Sequence, residues 1–178
     1  KLTVIHEFTH DSFYLGEDGP THQPIEHLAS LRAMPDMYVI RPADAHETEA
    51  LMHASLSLKA PSCLCLTRQK VPFISTRRQP DMTRGGWSIK NPEKPSMVIF
   101  ATGSEVSLAI KVAEQLEKED SRQKIKVVSL PCWELFFEQS KEYQAQTLSW
   151  SCNQRVSIEA GATFGWEKFV GRQGLMIG

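Results

Sequence analysis

The chain has 178 residues, 41% of them hydrophobic and 23% charged, a composition that can bury a core and is not that of a disordered segment. Lys and Arg number 20 against 21 Asp and Glu, a formal charge of -1, so the basic surplus that marks nucleic-acid binders is missing. No apolar run approaches the roughly 20 residues that a membrane helix needs; neither nucleic acid nor membrane is expected as a partner.

In chain order, residues 3–9 read as a first strand, followed by a polar loop rich in Gly, Asp and His. Pro24 suits the first turn of a helix, where its missing donor is harmless, and that helix runs through Ile25, Leu28, Ala29 and Leu31 until Pro35 ends it. Residues 38–40 are a short strand. Asp44 with Glu47 forms an N-cap signature ahead of apolar residues at helical spacing over 45–58. Residues 62–67 are a β-type run that places Cys63 and Cys65 on one side of a strand, where free Cys behaves as a small hydrophobe. Residues 70–95 hold four prolines, three arginines and Gly85-Gly86 with little periodicity, which reads as a linker. A buried strand at 97–101 then turns through Thr102-Gly103-Ser104 into a helix over 105–118. A strand at 125–130, a short helix at 133–139 and a strand at 155–159 follow. Strands alternating with helices imply parallel pairing. The expected fold is therefore α/β, two consecutive three-layer units with mainly parallel sheets: residues 1–72, a linker at 73–95, and residues 96–178.

The four cysteines, at 63, 65, 132 and 152, form no Cys-x-x-Cys pair, so no zinc or redox motif is indicated and reduced thiols are expected. The start at Lys1-Leu2-Thr3, with no initiator Met or leader, reads as a cut inside a longer protein. The end, Gly174-Leu175-Met176-Ile177-Gly178, reads as a strand stopped short, so both units are expected to be truncated.

The chemistry concentrates in residues 10–24, which carry two histidines, three acids and two glycines after a strand end. Ligands of parallel α/β sheets bind at the carboxyl ends of strands, and Arg68 falls at the end of another expected strand. A guanidinium offers a planar fork of donors to phosphate oxygens, and His with Asp can handle hydroxyl protons. His10 with Arg68 is a candidate phosphate clamp. The same residues lack zinc-ligand spacing, and no metal ligand is assigned. Thr102-Gly103-Ser104-Glu105 is a candidate anion cradle at a helix N-terminus.

The string Thr9-His10-Asp11-Ser12, then Gly16-Glu17-Asp18-Gly19-Pro20-Thr21-His22-Gln23-Pro24, closely resembles the signature of the transketolase pyrimidine-binding domain. Further matches follow in the family's order: Arg41-Pro42-Ala43-Asp44, Thr67-Arg68-Gln69, Ala101-Thr102-Gly103-Ser104-Glu105-Val106, Ile158-Glu159-Ala160-Gly161 and Gly165-Trp166-Glu167-Lys168. The likeness covers nearly the whole chain.

The resemblance implies the C-terminal part of a thiamine-diphosphate-binding fold followed by an incomplete transketolase C-terminal domain. It implies transfer of a two-carbon ketol unit from a ketose phosphate, such as xylulose 5-phosphate, to an aldose phosphate, such as ribose 5-phosphate, in the pentose phosphate pathway. By resemblance, His10 and Arg68 hold the sugar phosphate, and Asp18 hydrogen-bonds a donor hydroxyl near C2. His22 lies near the reacting carbons and the cofactor's aminopyrimidine, binding substrate and assisting proton transfer. Gly16, Gly19 and Pro20 shape the loop. Phe13 and Tyr14 stand where many relatives have smaller residues and are expected to re-line the entrance. His6, His27, His46 and His53 match no catalytic position. By resemblance the domain holding the turn at 102–105 is remote from the chemistry, and stabilising the fold or dimer is the role expected of that turn.

The resemblance implies a homodimer with thiamine diphosphate and Mg2+ (or Ca2+) held between subunits, and a cytoplasmic location is expected. The diphosphate domain, the activating glutamate and the ring-stacking aromatics are expected upstream of Lys1, so the chain alone is expected to bind no cofactor firmly and to be inactive. The rival readings are a cofactor-free phosphosugar isomerase using His22 and Asp18, dihydroxyacetone synthase or more distant thiamine-dependent relatives, and an inactive scaffold homologue.

Overall fold

Apolar strands flanked by helices on both faces build two sheets in succession. The computed structural model describes residues 2–178. The first sheet has the order β1-β3-β2, formed by β1 (Ile5–Phe8), β2 (Tyr38–Ile40) and β3 (Ser62–Cys65), all parallel. Helix α1 (His27–Arg32) packs Leu28 against Val39, Cys63 and Cys65 on one face. Helix α2 (Ala45–Ser57) packs Leu51 against Ile40 and Leu64 on the other. The Asp44 carboxylate accepts from the Glu47 N–H, the N-cap that the sequence announced. The first helix begins after Pro24, at His27, and residues 20–22 form a separate 3-10 turn.

Residues 73–95 differ from the linker expected there. They contain a 3-10 turn over Pro80–Arg84 and a strand, β4 (Trp87–Lys90), that runs antiparallel to a strand of the second sheet. That sheet has the order β4-β6-β5-β7-β8, with β5 (Met97–Ala101), β6 (Ile125–Ser129), β7 (Arg155–Ile158) and β8 (Leu175–Ile177) parallel. Helix α3 (Glu105–Glu119) packs Val106, Ala109 and Ala113 on Ile99, Ala101 and Val127. On the opposite face Val98, Phe100 and Val128 meet Trp133 and Phe136 of α4 (Trp133–Phe137), Leu148 of α5 (Lys141–Leu148) and Phe169 of α6 (Glu167–Val170). Both units are thus three-layered α/β structures. Helix α5 escaped the sequence reading because Gln144 and Thr147 are buried along with Leu148, leaving no apolar stripe.

The two units share a buried interface. Leu135 and Cys132 of the second join the Ile40, Leu51 and Leu64 cluster of the first. Glu47 crosses the same boundary. Its carboxyl is fully buried and accepts from the Ala43 N–H at 2.8 Å and from the Trp87 indole N–H at 2.7 Å. Burial pushes its pKa from 4.5 up to about 7, against the pull of these donors. The folded state therefore binds a proton that the unfolded state releases between these two values. Unfolding free energy should fall by about 3 kcal/mol as pH rises from 4.5 to 7, and this contribution should then level off. Chemical denaturation across this range should lose that descending component in Glu47→Gln. The amide can accept only through its oxygen, so the variant should also be less stable at pH 5. An unaltered slope would refute the assignment.

Candidate functional site

Strand β1 and strand β3 are neighbours running the same way, so the residues just beyond their carboxyl ends meet. His10 follows β1 and Arg68 follows β3. Between them the loop brings Asp18: its carboxylate lies 3.6 Å from His10 Nε2 and 3.7 Å from Arg68 Nε. All three side chains are partly solvent-exposed, so this is an accessible cluster rather than a core ion pair. His22 completes the group, its ring 6.4 Å from that of His10. Four residues separated by up to 58 positions in the chain thus converge on one sheet edge.

Local chemistry holds each in place. The Thr9 hydroxyl bonds His10 Nδ1 at 2.8 Å, and the Thr21 hydroxyl bonds His22 Nδ1 at 2.9 Å, which leaves both Nε2 atoms for a ligand. His22 sits on the 3-10 turn Pro20–His22, entered through Gly19 at φ +74, and its N–H donates to the Gly19 carbonyl. Nothing lies within 4 Å of where a Gly19 Cβ would stand. Its glycine therefore serves the left-handed turn rather than a close approach. The loop is clamped from β3's end as well. Arg68 Nη1 donates to the Leu15 carbonyl at 3.4 Å, Gln69 Nε2 to the Tyr14 carbonyl, and Gln23 Nε2 to the Gly16 carbonyl at 3.3 Å.

A cleft of about 580 Å3 opens beside this cluster, with His10, Thr21, His22, Gln23 and His27 on its wall and Cys65 at its buried end. Asp18 and Arg68 are not among its lining residues and adjoin it through His10. His27, which the sequence left without a role, belongs to this wall; that the first turn of α1 borders the cleft is a tertiary fact with no sequence signal. Burial pushes the Cys65 thiol up to about 12, so it is a wall atom and not a nucleophile. Phe13 and Tyr14, expected at the entrance, line a different cleft, of about 320 Å3, between the units. Their loop turns away from the histidines because Ser12 caps it and Gln69 holds it.

The strings Arg41-Pro42, Thr102-Gly103-Ser104-Glu105 and Ile158-Glu159 meet in a buried polar network across the units. Arg41 Nε donates to Asp11 at 2.7 Å; its Nη1 donates to the Thr102 carbonyl and hydroxyl, each at 3.0 Å, and to Glu105, and its Nη2 to the Ser104 hydroxyl at 3.4 Å. The turn read as an anion cradle is therefore filled by a cation. Burial opposes the guanidinium's charge, yet Glu105, Asp11 and Glu159 outweigh it and raise its pKa. Beside it, Glu159 takes both Arg32 amino groups at 2.7 Å, the Thr102 hydroxyl at 2.6 Å and the Trp166 indole N–H at 2.9 Å. Burial works against its carboxylate, but Arg32 brings its pKa down to about 2.

Among the described residues, no group of three or more His, Cys, Asp or Glu is placed to hold a metal ion. No helix among them is long and apolar enough to cross a membrane.

Residues 1–73 match the transketolase pyrimidine-binding domain, and residues 85–178 match the transketolase-like C-terminal domain. The chain is 51% identical to the chloroplastic transketolase of Solanum tuberosum, over 98% of this chain and 24% of that protein. Among solved structures, a transketolase from Leishmania mexicana superposes with a TM-score of 0.90 at 42% identity, over 99% of this chain and 25% of that one. A Pichia stipitis transketolase in complex with sedoheptulose 7-phosphate superposes with a TM-score of 0.87 at 42% identity, over 96% of this chain and 25% of that one. The chain spans about a quarter of the length of the curated relatives it matches. With both domain matches consecutive and in order, the chain belongs to the transketolase family.

Proposed function

We propose that this chain forms the sugar-phosphate-facing side of a ketol-transfer site, as part of a transketolase acting on phosphorylated ketoses and aldoses. The observation that carries this reading is the convergence of His10, Asp18, His22 and Arg68 at the carboxyl ends of two adjacent parallel strands. In the ligand-free arrangement the Asp18 carboxylate lies between His10 and Arg68. A substrate phosphate takes its place there, bonded by the Arg68 fork and His10 Nε2. Asp18 is then released toward a sugar hydroxyl, where it selects the donor's configuration. His22 holds or moves a proton at the substrate oxygen through its Nε2, since Nδ1 is occupied by Thr21.

The metal-bound end of thiamine diphosphate does not fit these residues, because among the described residues no group of three or more His, Cys, Asp or Glu stands ready for a metal. The cofactor, when bound by the remainder of the enzyme, would supply the carbanion chemistry, and His22 would be the residue of this chain to act beside its aminopyrimidine. The working assembly is a homodimer with the cofactor between subunits; exposed Phe8 and Ile25 near the cleft offer apolar surface for such burial. All four cysteines are free, as a reducing compartment such as the cytoplasm keeps them.

The test is a chimera in which this chain replaces the matching segment of the Solanum tuberosum enzyme. A charge-assisted bond to phosphate is worth about 1.5–3 kcal/mol, so Arg68→Ala and His10→Ala should each raise KM for a phosphorylated ketose about 10- to 150-fold. An unphosphorylated ketose should show no such rise. Equal losses with both donors would remove the phosphate assignment. The 178-residue chain by itself should give no ketol transfer, and measurable transfer by it would overturn the division of labour described above.

A further inference from the structure

We propose that the second unit positions His10 for phosphate through the buried connection Glu105–Arg41–Asp11, which makes Arg41 a positioning residue of the substrate site. This rests on the reading of His10 as a phosphate ligand.

The starting observation is backbone strain. His10 has φ +61, a left-handed conformation that residues with a Cβ disfavour. Among the described residues two other non-glycines share it, Asp36 and Ser149. Ser149 is the C-cap of α5 and Asp36 lies between α1 and β2, both turn settings. His10 instead opens the loop that carries the rest of the site. Such a conformation persists where the surroundings over-determine it, and here they do so from both sides. Before it, the Phe8 carbonyl accepts from the Leu66 N–H at 2.7 Å, which ties the end of β1 to β3. After it, the Asp11 carboxylate is ion-paired with Arg41 at 2.7 Å, with both side chains buried. Only Thr9 and His10 remain to join these two fixed points, and the chain closes by turning at His10.

The second fixed point is anchored on the other unit. Apart from Asp11, the hydrogen-bond partners given above for the Arg41 side chain are Thr102, Ser104 and Glu105. Its backbone is held there too: the Arg41 N–H donates to the Pro131 carbonyl at 2.7 Å, and its carbonyl accepts from the Gly103 N–H at 3.1 Å. Glu105 is braced in turn by the Ala160 N–H at 2.9 Å and the Ser104 hydroxyl at 2.6 Å. The position of Asp11, and with it the turn at His10, is therefore set by contacts inside the C-terminal unit. The consequence for the site is geometric, because this turn is what brings His10 Nε2 to 3.6 Å from Asp18 and to the same side as Arg68.

The experiment is nuclear magnetic resonance on the full 178-residue chain, comparing the parent with Asp11→Asn and Glu105→Gln. The φ-sensitive three-bond amide coupling of His10 reports the turn directly. Titration with inorganic phosphate, followed at the His10 imidazole and Arg68 guanidinium signals, reports the ligand. Both variants should move the His10 coupling away from its left-handed value and weaken phosphate about 5- to 30-fold, as expected when binding must restore a disfavoured backbone conformation. If Asp11→Asn does not fold, Thr102→Val, which removes one Arg41 contact and spares the ion pairs, gives the same two readouts on a smaller scale. An unchanged His10 coupling in the folded variants overturns the inference. Phosphate that fails to bind the parent, or that binds Arg68→Ala equally well, instead overturns the reading of the phosphate site. The coupling measurement then still decides whether Arg41 sets the turn.

Discussion

Replacing Arg41 with Met is expected to destabilise the chain by about 3–5 kcal/mol, the range for removing one member of a buried ion pair and leaving the other uncompensated. Two carboxylates lose their cation at once, since Arg41 pairs with both Asp11 and Glu105 and neither has another ion-pair partner in the network. Met fills much of the volume, so the loss reports charge and hydrogen bonding rather than a cavity. In a chain of this length, that free energy corresponds to a melting temperature lower by about 6–20 °C. The pH dependence identifies the cause. Burial already raises the Asp11 pKa even with Arg41 beside it, and without the guanidinium it rises further. The deficit in the variant should therefore shrink as pH falls and the stranded Asp11 carboxyl takes up a proton. Urea unfolding of both proteins at neutral and mildly acidic pH checks this. A deficit below about 1 kcal/mol, the level of an exposed pair, would show that the network contributes little.

Gly103→Ala is the second large effect, expected at about 2–4 kcal/mol from two additive sources. One is the backbone: Gly103 has φ +55, where a Cβ costs about 1–2 kcal/mol. The other is space, because a Cβ there would stand 2.6 Å from Arg41 Cζ and 2.7 Å from its Nη1. A flexible side-chain end ordinarily yields to such a contact, but this guanidinium is held by Asp11, Thr102 and Glu105 and moves only by breaking those bonds. The two sources separate in a double-mutant cycle. With Met at 41 the steric source disappears, so Gly103→Ala should then cost only about 1–2 kcal/mol, the backbone share. Full additivity of the two substitutions would mean that the guanidinium and the glycine are not coupled.

These predictions centre on residues that motif reading found but could not interpret. Arg41-Pro42, Thr102-Gly103-Ser104-Glu105 and Ile158-Glu159 stood out as strings shared with the family, and for the turn at 102–105 the resemblance favours a role in stabilising the fold or dimer over an anion cradle. A helix N-terminus after a Gly turn favours negative charge by its dipole. That general rule gave way to a particular neighbour, because Glu105 and the Thr102 carbonyl face the same point and turn it into a cation site. No spacing rule relates residue 41 to residue 105. The same limit applies to β4, hidden in a stretch of prolines and arginines, whose antiparallel pairing with β6 is a long-range contact. It applies as well to Glu47, visible as half of a capping signature but not as a buried acid shared with Trp87.

The sequence by itself determined where most strands and helices lie, because period-2 and period-3.6 apolar patterns and the Asp44 cap are local properties. Its motifs also singled out His10, Asp18, His22 and Arg68 as one set before any of them was placed in space. Only the tertiary structure decided that parallel pairing of β1 with β3 brings Arg68 to the loop, and that Asp18 stands between Arg68 and His10. It likewise moved Phe13 and Tyr14 to another cleft, and it linked the turn at His10 to a buried guanidinium of the first unit that is held by the second. The physical reason is the same in each case. Periodicity and capping report interactions over a few residues, whereas the balance of burial and charge at a site depends on which distant side chains share its volume.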